Sequence, residues 1–96
     1  MMFRIHRTFE NRALLLLRVE GEITDRHLND WAEALEIISA NSEKQIILDF
    51  CKVSYISRNA VGSLLGQISE KMFLLNCQMS LKNMLHSVGL AENILN

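Results

Sequence analysis

The chain has 96 residues, of which 49% are hydrophobic and 22% are charged, and its formal net charge is −1. This length suits a single domain over residues 1–96 with its own core, and the composition is that of a folded protein rather than a disordered one. Since there is no basic stripe, nucleic-acid binding is not expected. The apolar stretches are too short to span a bilayer, so we expect a cytoplasmic location and no direct membrane span.

Two strands and a helix are predicted in the first half. Phe3–Phe9 begins with alternating apolar residues, and Ala13–Val19 follows a short polar turn, so the two should form a hairpin. A helix should begin at Thr24 or Asp25, because either side chain can accept hydrogen bonds from free backbone N–H groups, and should end near Asn41. Its predicted buried face consists of Leu28, Trp31, Leu35 and Ile38.

The second half predicts a β-α-β unit. Gln45–Phe50 is a nearly continuous apolar run, as in a parallel strand covered on both faces. A short helix over Asn59–Ile68 and a strand over Met72–Asn76 should follow. Ligands of such sheets bind at the carboxyl ends of the strands, so function is expected there.

One more helix is predicted near the end of the chain. Ser80 is a suitable N-cap for it, and Gly89 is suited to ending it. After this helix, Ile94 and Leu95 are expected to form a last turn that docks on the core.

Residues able to perform redox, metal or catalytic chemistry are few and scattered. Cys51 and Cys77 are not at CxxC spacing, which favours reduced, partly buried thiols. The three histidines fall in three different predicted elements, so no metal site is indicated. No catalytic constellation can be assembled, and we expect neither a cofactor nor enzymatic activity.

The segment Lys44–Leu65 resembles the STAS domain, the fold of bacterial anti-sigma-factor antagonists. Its strand Ile46-Ile47-Leu48-Asp49-Phe50 matches the signature of that family. Further matching apolar and glycine positions are Val53, Tyr55, Ile56, Val61 and Gly62. Leu17–Thr24 and Leu81–Leu90 resemble other family motifs, so the likeness extends from about Leu14 to Leu90. The resemblance implies an α/β fold, a small mixed β-sheet with helices packed against it.

The phosphorylation motif of the family differs in this chain. The signature has Asp-Ser-Ser/Thr-Gly where this chain has Ser57, Arg58, Asn59 and Ala60. Asn59 stands at the phosphoacceptor position and Thr24 replaces another family acid, so no phosphorylation is expected. Ser57 and Ser63 are the remaining weak candidates. Asparagine is a good helix cap, so we expect Asn59 to keep the structural part of the role as the N-cap.

The resemblance implies a non-enzymatic protein–protein interaction module in signalling and transcription regulation. Its partner would be a protein, such as an anti-sigma factor that is also a serine kinase. Contact would involve the loop after Gly21 and the turn Ser57–Val61. The implied partner-binding residues are Glu22, Thr24, Ser57, Arg58, Asn59, Ala60 and Val61.

Other functions stay open at this point. Related domains serve as structural subunits of larger assemblies, such as stressosome-like or lipid-transport ABC complexes, and homo-oligomers are also compatible with the sequence. A small-ligand-binding or enzymatic domain would use a cleft near Asp49, Cys51 and Asn76. Gly62 and Gly66 lie four residues apart on one helix, either because the helix approaches the sheet closely or because a flat face receives a partner.

Overall fold

A computed structural model of the chain describes residues 3–40 and 43–95. In these residues one sheet has the strand order β1-β2-β3-β4. The strands are β1 (Arg4–Glu10), β2 (Leu14–Ile23), β3 (Gln45–Ile56) and β4 (Met72–Leu75). β1 is antiparallel to β2, whereas β2, β3 and β4 run parallel to one another. This topology confirms the predicted α/β class with a small mixed β-sheet.

Within the described residues, three helices follow the parallel strands. α1 (Leu28–Ala40) connects β2 to β3, α2 (Arg58–Gln67) connects β3 to β4, and α3 (Met79–Ser87) follows β4. A 3₁₀ turn, Asp25–His27, leads into α1, whose predicted end near Asn41 lies outside the described residues. α1 and α2 pack against each other and bury residues in the same core cluster, so both lie on the same face of the sheet. No helix in the described part of the chain is long and apolar enough to cross a membrane.

The core lies between these helices and one face of the sheet. Trp31 is fully buried, as predicted, and its ring meets those of Phe3 and Phe50 edge-on at centroid distances of 5.4 and 6.4 Å. The sheet contributes mainly Val19, Ile23, Leu48 and Leu74, and the helices contribute Leu35, Leu64, Leu81 and Leu85. Most of the predicted helix faces are therefore buried against a single sheet face.

β3 is longer than the sequence predicts, because it continues past Phe50 to Ile56. Its pairing with β2 persists through two register shifts, the second of them just after Gly21, which has a φ of 96°. Only glycine adopts that backbone conformation readily. The backbone hydrogen bonds thus continue after the apolar run stops, and the carboxyl end of β3 lies at Ile56 rather than near Asp49.

The start of α3 also differs from expectation. Ser80 lies inside the helix, which begins at Met79, and the flanking residue Gln78 makes no side-chain capping bond. The end is as predicted: Gly89 has a φ of 80°, and its N–H and that of Leu90 bond back to the last turn. After it, Ile94 pairs with β4 beside Leu74 and packs against the core.

Candidate functional site

A single residue, Ser57, separates β3 from α2 and caps the helix. The Ser57 N–H donates to the carbonyl of Ile23 at 2.8 Å, and its Oγ accepts from the N–H of Ala60 at 3.1 Å. The expectation that Asn59 is the N-cap is therefore wrong, since Asn59 is the second residue of α2. The pairing of β3 with β2 up to this point determines which residue stands at the helix start.

The carboxylate of Asp25 lies at this helix start. Its Oδ1 accepts from Ser57 Oγ at 2.8 Å, and its Oδ2 accepts from Asn59 Nδ2 at 3.0 Å. A negative charge is favourable beside the free N–H groups of a helix N-terminus. In the family resemblance, Thr24 stands where the family has an acid. In the structure the next residue, Asp25, supplies a carboxylate at this helix start.

A third side chain contacts the same turn from α1. The indole Nε1 of Trp31 donates to the carbonyl of Ala60 at 2.9 Å, and both residues are fully buried. The turn Ser57–Val61, hereafter the α2 turn, is thus held by side chains from the β2–α1 connection and from α1 itself. Sequence periodicity identifies Trp31 as a core residue but carries no signal for this hydrogen bond.

The structure divides the predicted contact residues into two groups. Glu22, Arg58 and Asn59 are exposed, and Thr24 is half-buried. In contrast, Ser57, Ala60 and Val61 are buried, with Ser57 only 6% exposed. The first group can contact a partner directly, whereas the second determines the shape of the turn.

A polar depression lies next to the α2 turn. It has a volume of about 410 Å³ and is lined by Glu22, Thr24, Asp25, Arg26 and His27. Most small-molecule sites have predominantly apolar walls, whereas acidic and basic side chains line this one. The lining suits polar groups on a docking surface better than a small apolar ligand.

Gly62 and Gly66 lie on the exposed side of α2. A Cβ placed on either glycine meets no described atom within 4 Å. The interpretation that they permit a close approach of α2 to the sheet is therefore wrong. They form instead a flat strip that continues from the exposed side chains of the α2 turn.

Asp49, Cys51 and Asn76 lie together, as expected, but Asp49 and Cys51 are within β3 rather than at its end. Asp49 Oδ1 accepts from the N–H of Cys51 at 2.9 Å and from Asn76 Nδ2 at 3.0 Å. Burial alone would raise the pKa of Asp49, yet these hydrogen bonds hold the pKa below its usual value.

Neither thiol has the properties of a reactive cysteine. Burial raises the pKa of Cys77 to about 11. Cys51 is exposed rather than partly buried as expected, and partial desolvation followed by a hydrogen bond with Asp49 raises its pKa. Reactive cysteines have a lowered pKa. The described residues also contain no group of three or more His, Cys, Asp or Glu side chains placed to hold a metal ion.

Comparison with known proteins supports this fold. The phosphorylated form of the Bacillus cell fate determinant SpoIIAA has a TM-score of 0.73 and 19% identity, covering 98% of this chain and 89% of SpoIIAA. The anti-sigma factor antagonist SpoIIAA in its unphosphorylated form gives 0.70 and 18%, covering 98% and 86%. No curated protein sequence matches. The STAS domain model matches residues 5–96, and the chain therefore belongs to the STAS domain family.

Proposed function

We propose that this chain is a non-enzymatic module that binds a protein partner through the α2 turn and the loop after Gly21. The observation that carries the proposal is the set of hydrogen bonds that Asp25 accepts and Trp31 donates, which fix the turn while Arg58 and Asn59 stay exposed. A fixed backbone lowers the entropic cost of binding. By analogy with SpoIIAA, the partner is an anti-sigma factor with serine kinase activity, and the complex is cytoplasmic.

The module would bind without a phosphorylation switch. Asn59, at the acceptor position of the family, has an amide instead of a hydroxyl group. The hydroxyl of Ser57 is buried and takes part in two hydrogen bonds, one as donor and one as acceptor. The hydroxyl of Ser63 donates to the carbonyl of Asn59 at 3.4 Å within α2. Asn59 and Ser57 therefore offer no accessible acceptor, and Ser63 is half-buried and lies within α2 rather than at its start.

The glycine strip on α2 supports the same surface. Glycine in a helix interior costs about 1 kcal/mol relative to alanine, and no contact among the described residues requires Gly62 or Gly66. A helix side without side chains lets the backbone of a partner approach closely. We therefore include this side of α2 in the proposed interface.

The proposal is tested by changing the charge of the α2 turn, by reversal at Arg58 and by addition of a negative charge at Asn59. The wild-type chain is used to isolate a partner, whose affinity is then measured by calorimetric titration for Arg58→Glu and Asn59→Asp. We expect each variant to bind at least about tenfold more weakly, because interfacial like charges cost several kcal/mol. Arg12→Glu is the matched control: Arg12 is also exposed but lies at the opposite end of the sheet, next to the start of β2.

Two results would contradict the proposal. If Arg58→Glu and Asn59→Asp bind as tightly as wild type, or if Arg12→Glu weakens binding equally, the contact surface is elsewhere. Intact-mass spectrometry of the chain after incubation with its partner and ATP tests the missing switch. A stoichiometric phosphate on Ser57 or Ser63 would show that the chain is switched after all.

A further inference from the structure

The sheet face opposite the helices carries a row of apolar side chains. We call this surface the open face. Its apolar residues are Phe9, Leu14, Leu16, Ile47, Phe73 and Leu75. Phe9 is 48% exposed, the others are half-buried, and none of them belongs to the core cluster. Contiguous exposed apolar patches of this kind usually mark interaction sites.

The strand register arranges the open face in rows. Phe9 pairs with Leu16, Leu16 with Ile47, and Ile47 with Phe73, so one apolar row crosses the whole sheet. The next row toward the carboxyl ends of the parallel strands consists of His6, Arg18, Asp49 and Leu75. In this second row the cation Arg18 on β2 lies next to the anion Asp49 on β3.

This arrangement is complementary to itself. Consider two copies with their open faces together and a two-fold axis midway between them, parallel to the strands and centred between β2 and β3. Rotation about this axis places β2 of one copy over β3 of the other and does not move any residue along the strand direction. It places Leu16 over Ile47 of a second copy, and Arg18 over Asp49 of that copy. The outer strands exchange likewise, so Phe9 meets Phe73. Face-to-face sheets pack in this way, about 10 Å apart and at about 30°.

The charged pair favours this partner over an unrelated one. The Nε of Arg18 is buried and has no acceptor among the described residues. Asp49 Oδ1 accepts two hydrogen bonds, and the carboxylate also interacts with the Cys51 side chain and with the charge of Arg18 in the same copy, so a second copy adds to an existing pair. A guanidinium of one copy and a carboxylate of the other are well matched, and the two-fold axis repeats the pair.

The area is that of a small specific interface. The four strands contain 33 residues, and at about 3.3 Å along a strand and about 4.8 Å between strands they give a face of roughly 500 Å². A specific interface needs about 1,000 Å² in total, or about 500 Å² per copy. We propose that the open face is the contact surface of a symmetric homodimer. The α2 turn then remains free in both copies, so this inference does not depend on the proposed function.

The test measures the mass of the full chain by sedimentation from micromolar to submillimolar concentration. We expect a dimer for wild type and a monomer for Ile47→Lys. Ile37→Lys is the matched control, because Ile37 is 54% exposed on α1, away from the open face, and this variant should dimerise like wild type. A monomeric wild type at all concentrations, or an Ile47→Lys dimer, would overturn the proposal.

Charge exchange tests the two-fold arrangement itself. Arg18→Asp should weaken the dimer at least tenfold, since it places like charges over each other, and Arg18→Asp with Asp49→Arg should restore it. If the double variant fails to fold, a short bis-maleimide on wild type decides: Cys51 is exposed on the open face and should link two copies, whereas Cys77 is buried. No restoration in a folded double variant, or no linked dimer, would refute this geometry.

Discussion

Of the three strand-to-helix connections that the structure describes, those from β3 to α2 and from β4 to α3 are built differently. Between β3 and α2 there is only Ser57, whose side chain caps the helix and also donates to Asp25. Between β4 and α3 there are three residues, and α3 starts without a side-chain cap. Gln78 instead donates to the carbonyl of Val53 at 2.9 Å. The connection from β3 to α2 is thus fixed by the 3₁₀ turn that contains Asp25, at the edge of the sheet where Arg58 and Asn59 are exposed. The connection from β4 to α3 supports the core.

The helices themselves show the opposite order of intrinsic stability. α2 contains two glycines, which lower helix propensity, whereas α3 contains none. α2, the helix with the lower helix propensity, therefore has the side-chain cap at its N-terminus, and α3 has none. This difference indicates that the side-chain cap in the α2 turn, where the proposed partner binds, compensates for the low helix propensity of α2.

Ser57→Ala should break this comparison most strongly. It removes the N-cap and one donor to Asp25, so we expect unfolding free energy to fall by about 1–2 kcal/mol. Urea denaturation measures the change. Asn59→Ala is the matched control and should cost only a few tenths of a kcal/mol, because Asn59 makes an exposed bond and is not the cap. Equal costs for the two variants would mean that Ser57 does not cap α2.

Asn76→Ala tests the second connection. Asn76 has a φ of 58°, a left-handed conformation that asparagine tolerates better than alanine does, and its side chain donates to Asp49. We expect a loss of about 1 kcal/mol in the free energy of unfolding. Asn76→Gly separates the two causes, since it relieves the backbone and still lacks the hydrogen bond. If alanine and glycine are equally destabilising, the backbone conformation contributes nothing.

Gly62→Ala and Gly66→Ala should sharpen the contrast between the helices. Each is expected to stabilise the chain by about 0.5–1 kcal/mol, because an added Cβ meets open space and gains helix propensity. Thermal denaturation measures this gain. If the glycine strip belongs to the interface, the same variants bind the partner more weakly while folding more stably. A gain in stability with unchanged affinity would remove the strip from the proposed surface.

The smallest expected effect is a pH dependence at the second connection. Because the pKa of Asp49 is lowered in the folded chain, its charge stabilises the fold above the unfolded pKa of about 3.9. That contribution is lost as the pH falls through the folded pKa. The stability difference between wild type and Asp49→Asn should therefore shrink from pH 7 to pH 3. A pH-independent difference would show that the carboxylate charge is not involved.

The sequence predicts the elements of the fold better than their ends. The apolar run of β3 is visible from Ile46 to Phe50, but its extension to Ile56 depends on hydrogen bonds with β2, which leave no mark on hydrophobic periodicity. The same extension moves the start of α2 to Arg58 and gives the cap to Ser57. Serine and asparagine have similar capping preference, so propensity alone does not distinguish the two positions.

The candidate site was predictable in position but not in its contacts. The exposed Arg58 and Asn59 follow from the family signature, whereas the role of Asp25 requires that a 3₁₀ turn bring its carboxylate to α2. The spacing of Gly62 and Gly66 is visible in the sequence. Only the three-dimensional arrangement shows that they face outward rather than toward the sheet.

The hydrogen bond between Trp31 and Ala60 also gives the chain an optical probe. Trp31 is the only tryptophan of the sequence, so all indole emission comes from one buried ring. That ring bonds directly to the first turn of α2, and its emission depends on the polarity and hydrogen bonding around it. Loosening of the turn, and docking of a partner that changes the turn, can therefore be followed in real time on the unlabelled protein.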